Sequence, residues 1–127
     1  MLMINIKIFF QIVNVIFLFL YLYPGSILGL ILYDDIYKQP QLTKDFYISS
    51  NHFYSYFLIS FIGLIAYFNS KKKYILLYLI FGSILIEILH LIIPNRSFQI
   101  SDLFGNILGV LVSIIVFIFI KMIWQKP

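Results

Sequence analysis

Long apolar runs separated by short polar stretches set the pattern of this chain. Four runs are long enough, at about 1.5 Å of helix per residue, to cross a hydrocarbon layer of about 30 Å or nearly so. They are Ile8 to Tyr23, Phe53 to Phe68, Tyr74 to Ile93 and Leu103 to Ile123. The first two are short and draw on flanking residues such as Lys7 and His52 to complete a span. Pro24-Gly25 is a helix stop. Ser26 to Tyr33 is therefore read as a short apolar segment lying on or dipping into the membrane, in preference to a kinked first helix from about Val13 to Tyr33. The expected architecture is all-α, a polytopic bundle of four transmembrane helices forming one domain over residues 1–127. No internal repeat divides it.

Composition strengthens this picture. The chain is 62% hydrophobic and 11% charged, where a soluble domain carries about a quarter of its residues as charged ones. With no cysteine, a disulfide framework, a thiolate metal site and a cysteine nucleophile are all excluded. The net charge of +4 falls in small clusters at the ends of apolar runs rather than along a polar stripe, so no nucleic-acid partner is expected. A cleaved signal peptide would need small residues after its apolar core, and Tyr23-Pro24-Gly25-Ser26 is a poor match.

The basic residues carry topology information. With an inside amino terminus, the cytoplasmic side holds Lys7, Lys71, Lys72, Lys73, Lys121 and Lys126, against Lys38, Lys44 and Arg96 outside. That excess predicts both termini in the cytoplasm of a multi-pass protein of the bacterial inner membrane. Tyr21, Tyr23, Tyr33, Tyr54 and Tyr56 then form an outer aromatic belt, and Tyr67, Tyr74 and Trp124 an inner one.

One carboxylate, Glu87, lies inside an apolar run, where a charge costs a few kcal/mol and needs a partner. His90 follows three residues later on the same helix face, about one turn nearer the outer end, and Glu87 lies about 9 Å below a helix end at Ile93. Asp102 and Asn106, four apart, share a face at the start of the next helix. The connection from Pro94 to Ser101 is short enough to make the two helices neighbours. The four side chains should converge near the outer end, with Arg96 as counter-charge to Glu87 and His52 joining the rim.

Each residue also has a simpler role. Asp102 or Ser101 can serve as the N-cap of the last helix, and Asn106 as hydrogen-bonding glue between helices. Gly105 and Gly109 form a small-xxx-small pair that lets helices pack closely. Gln11 and Asn14 should face the bundle interior, and Lys71 to Lys73 should anchor the inner surface.

The series Glu87, His90, Pro94, Arg96, Ser97, Phe98, Asp102, Asn106 and Gly109 resembles the signature of the VanZ-like membrane proteins, and His52-Phe53-x-x-Tyr56 resembles its upstream part. Pro24 stands where that family often has a proline after its first helix. The resemblance runs from Pro24 to about Ser113. It implies a small polytopic bacterial membrane protein, some relatives of which are associated with resistance to lipid-bearing glycopeptide antibiotics. Two positions depart from the pattern. His90 replaces the usual Gln, and Ile48-Ser49 stands where an Asp-Lys pair is usual, with Lys44 and Asp45 nearby but out of register.

The leading functional expectation is a non-enzymatic envelope protein in which His52, Glu87, His90, Arg96, Ser97, Asp102 and Asn106 form an outer-leaflet polar cluster. That cluster would take a lipid or a lipid-linked cell-envelope head group, with Arg96 suited to a phosphate or carboxylate. An assembly subunit, in a homo-oligomer or with another membrane protein, is the main alternative. A membrane enzyme would use His52 or His90 as base with Ser97 or Ser101 as nucleophile, or Glu87 and the histidines around a metal. A proton-coupled transporter would relay through Glu87. A lone Glu-x-x-His is weak as a metal motif, so neither metal nor cofactor is expected.

Overall fold

A computed structural model describes residues 2–124, and Lys126, counted at the basic end, lies outside the described residues. Four helices follow one another: α1 (Leu2–Leu22), α2 (Ile27–Tyr33), α3 (Ser50–Leu89) and α4 (Ile100–Trp124). α1 and α4 contain stretches, Ile4–Leu22 and Ile100–Trp124, that are long and apolar enough to cross a membrane.

α3 has 40 residues, which would extend about 60 Å if straight. Lys71 breaks it, with φ −145° and ψ 45°. The two halves fold back on each other, since the Tyr56 hydroxyl donates to the Gly82 carbonyl and Gly63 sits against Ile75. The second and third apolar runs thus form an antiparallel hairpin turning within the lysine triplet. α1 runs antiparallel to the first half, as the contacts of Phe10 with Tyr67, Phe17 with Tyr56 and Tyr21 with His52 record. α4 runs parallel to that same half. Gly105 meets Ser49, His52 and Phe53, and Gly109 meets Phe53, Tyr56 and Phe57. The small pair of α4 therefore serves packing inside the bundle. The alternating legs bring Lys7, which lies over the Tyr67 ring, and Lys121, which donates to Asn69, to the end where the hairpin turns.

The side chains are distributed opposite to those of a soluble domain. Ser60, Ser83, Glu87, Asn106 and Ser113 are fully buried, while Ile8, Val15, Phe19, Phe81, Leu85, Ile115 and Phe119 are more than half exposed. Apolar surface on this scale needs an apolar medium, and a bundle whose exterior faces lipid gathers its polar groups inside.

Several boundaries and placements differ from the sequence expectation. α1 begins at Leu2 and α4 at Ile100, so the apolar run understates both helices. α3 ends at Leu89 with His90 as its C-cap, which puts Glu87 in the last turn rather than about 9 Å below the end. Ile92 and Ile93 belong to the connection that follows, whose turn passes through Asn95 at φ 59°. Tyr56 is buried rather than in a belt. Tyr21 turns inward onto His52, Tyr56 and Phe17, because the bundle supplies aromatic and polar partners there. Gln11 and Asn14 join α1 to the two halves of α3, Gln11 donating to the Tyr67 hydroxyl and Asn14 accepting from that of Tyr78.

α2 is a separate short helix after the Pro24-Gly25 break, as expected. Ser26 caps it by accepting from the Gly29 amide, and Gly25, at φ +103°, makes the turn before it. The segment after α2 closes over the start of α3. Asp45 accepts from the Ser50 amide, Ser50 donates to the Thr43 carbonyl and Asn51 donates to the Pro40 carbonyl.

Candidate functional site

The polar cluster forms at the end of the bundle away from the hairpin turn. The last carbonyls of α1 have no intrahelical donors once Pro24 stops the helix, and in an apolar environment each must find another. Arg96 supplies Nη2 to the Leu20 carbonyl at 2.9 Å and Nε to that of Tyr23, the residue after α1, at 3.1 Å. His90 takes another, with Nε2 3.0 Å from the Tyr21 carbonyl. Cations at a helix C-terminus also oppose the helix dipole favourably. Burial lowers the guanidinium's pKa from its usual value, yet arginine remains charged in proteins.

This corrects the expected pairing of Glu87 with Arg96. Among the described residues the close histidine–carboxylate contacts are His52 with Asp102 at 3.3 Å and His90 with Glu87 at 3.2 Å. Glu87, fully buried, also accepts from the Gln99 amide at 2.9 Å through Oε1. That bond ties the end of α3 to the start of α4. Asp102 is likewise more than a cap. The Gln99 carbonyl accepts from the Asp102 and Leu103 amides, and the Asp102 carboxylate, one turn in, faces His52.

His52 lies at the centre of the cluster and is 6% exposed, rather than at its rim. Its Nδ1 is 2.8 Å from Asn106 Oδ1, and Asn106 Nδ2 donates to the Ser83 carbonyl at 3.1 Å. The Ser83 bond assigns the amide's orientation, so Oδ1 must accept and His52 Nδ1 carries the proton. Asn106 is therefore glue joining three helical legs and also the group that fixes the imidazole's tautomer. His90 is held in the same sense, since its Nε2 faces a carbonyl and must be the donor.

Two histidine–carboxylate dyads result, with ring centroids 6.5 Å apart. In each, the outer nitrogen donates to a fixed acceptor and the inner nitrogen faces a carboxylate oxygen.

Ser97 lies apart from the dyads, exposed on the connection and accepting from Gln99, while the Ser101 hydroxyl points to Asp102. Neither serine donates to a histidine.

Two cavities adjoin the cluster. The first, of about 420 Å³, has an apolar wall that includes Phe17, Leu20, Leu28 and Leu32, and a polar end at Asn51, His52 and Arg96. The second, of about 430 Å³, is lined by polar side chains that include Asp45, Ser49, His90, Ser97, Gln99 and Asp102. Gln39, Gln41, Asn51 and Arg96 border both. The polar segment that follows α2, which sequence reasoning left without a role, supplies the two glutamines. Its signal was the density of amides at Gln39, Gln41 and Asn51 beside an otherwise apolar chain.

Compared with known proteins, the chain matches the family model described as VanZ/LLP1 over residues 3–121. No curated protein and no solved structure matches it.

Proposed function

The chain belongs to the VanZ/LLP1 family, and from that premise we propose that it is a multi-pass envelope protein of the bacterial inner membrane that binds a lipid or lipid-linked head group. In this reading α1, the two halves of α3 and α4 all span the bilayer, with both termini cytoplasmic and the polar cluster at the outer leaflet. The observation that carries the proposal is the pair of neighbouring cavities, one apolar-walled and one polar, with Arg96 lining both. An acyl chain fits the first and a polar head the second, where the amides and Arg96 offer donors and Asp102 and Asp45 offer acceptors. A part in glycopeptide resistance belongs to the same proposal, because those antibiotics and their targets both carry lipid-linked polar groups.

The lysines at the hairpin end support the orientation. A reporter fused after Trp124 is expected to be active only in its cytoplasmic form, and one inserted between Asp34 and Lys38 only in its exterior form. An exterior carboxyl terminus would overturn the four-span reading. The binding surface is tested by a phospholipid with a photoreactive acyl chain, reconstituted with the protein in liposomes. It should label the cavity wall at Leu20, Leu28 and Leu32 severalfold more than Ile115 and Phe119, which are exposed on α4. Leu28→Trp should abolish the difference by filling the cavity. Uniform labelling would mean ordinary boundary lipid and no site.

A further inference from the structure

We propose that His52, Glu87 and Asp102 form a binding site for one divalent transition-metal ion. One donor atom from each residue, an imidazole nitrogen and two carboxylate oxygens, lies within 4.8 Å of the others. Around a tetrahedral ion with bonds near 2.1 Å the donors would stand about 3.4 Å apart. Small rotations of the side chains therefore close the set without moving a helix.

Two observations point to a cation at this place. Glu87 Oε2 is completely buried and has no hydrogen-bond donor. His90 Nδ1 approaches it at 3.2 Å without forming a hydrogen bond, so a carboxylate oxygen is aimed into the cluster with its lone pairs unmet. A buried carboxylate oxygen left this way is costly. His52 is also prepared as a ligand, because its Nδ1–H is committed to Asn106 Oδ1, itself fixed by the Ser83 carbonyl. Nε2 is then the free nitrogen, and it faces Asp102. A ligating histidine characteristically has its other nitrogen anchored in this manner.

The charges also fit. Two carboxylates and a neutral imidazole bring two negative charges, which one dication neutralises inside an apolar bundle. Arg96 bonds the Leu20 and Tyr23 carbonyls through Nη2 and Nε and pairs with neither carboxylate. One nitrogen and two oxygens suit zinc, manganese or ferrous iron. Access runs through the polar cavity, which reaches Asp102 and His90. Three protein ligands leave a further coordination position for water or another ligand. The assignment stands apart from the head-group reading, since the cavities can hold a lipid with or without an ion beneath them.

The test uses the full-length protein with a carboxyl-terminal tag lacking histidines, purified in detergent, stripped with chelator and titrated separately with zinc and manganese chloride. Elemental analysis after desalting should find close to one ion per chain for at least one metal, with a rise in thermal midpoint that saturates at that ratio. Glu87→Gln and Asp102→Asn keep side-chain shape and should each weaken binding at least tenfold. X-ray absorption at the bound metal's edge in the wild-type protein should show one imidazole among oxygen ligands, a readout that does not depend on any variant folding. Less than a tenth of an ion per chain with no thermal shift would overturn the proposal. So would a metal spectrum without imidazole, or undiminished binding by a folded Glu87→Gln protein.

Discussion

Glu87→Ala should be among the most destabilising single substitutions in this protein, costing about 3 to 5 kcal/mol as removal of one partner of a buried charge pair does. The loss has two parts. The Gln99 amide, now bonded to Oε1 at 2.9 Å, would be left without an acceptor at the junction of α3 and α4. His90 would lose its carboxylate while still bound to the Tyr21 carbonyl, which loosens the end of α1 as well. Thermal unfolding in detergent measures the effect. Glu87→Gln should lose much less, because the amide oxygen still accepts from Gln99. A double-mutant cycle separates the partners, and Glu87 should couple more strongly to His90, at 3.2 Å, than to Arg96, whose bonds go to α1. Equal or stronger coupling to Arg96 would show that the guanidinium pairs with Glu87 after all.

Gly109→Leu should be comparably damaging, by packing alone. A Cβ at this position would meet the Phe53 carbonyl oxygen at 2.6 Å and the Phe57 nitrogen at 2.9 Å. These are backbone atoms of α3, so no side-chain rotation relieves the overlap and the helices must separate. Overpacking ordinarily costs about 1 to 3 kcal/mol, and a rigid backbone contact puts this case at or above the top of that range. The separation would also draw Asn106, one turn away on α4, from His52 and Ser83. The variant should therefore lose the fixed histidine tautomer along with stability. A Gly109→Leu protein with wild-type thermal stability would contradict the close approach of α4 to α3.

The apolar runs were legible as helices because in lipid a spanning segment must satisfy its own backbone, and only length and hydropathy decide where that happens. The convergence of Glu87, His90, Asp102 and Asn106 could be read from their spacing, since three- and four-residue intervals on adjacent antiparallel helices leave little freedom. Partner choice within the cluster could not. Arg96 is called away from Glu87 by the carbonyls of α1, more than 70 residues earlier in the chain, a demand created by Pro24 but visible only once α1 lies beside the connection. His52 looked like a rim residue because the start of its helix was placed near the surface. Tyr21 of α1, His90 at the end of α3 and Asp102, Gly105 and Asn106 of α4 surround it instead. The inward turn of Tyr21 and Tyr56 was hidden for a related reason, as amphipathic rings suit an interface and a polar bundle interior equally well.

The most direct test of the central claim is native mass spectrometry of the protein released from membranes of the cells that make it, with its bound lipids identified by fragmentation. The account predicts a population carrying one molecule of a lipid with a phosphate or other polar head, retained at collision energies that strip boundary lipid, and reduced severalfold by Leu28→Trp. A wild-type protein that sheds all lipid uniformly, or a Leu28→Trp variant that retains the same molecule equally well, would contradict it.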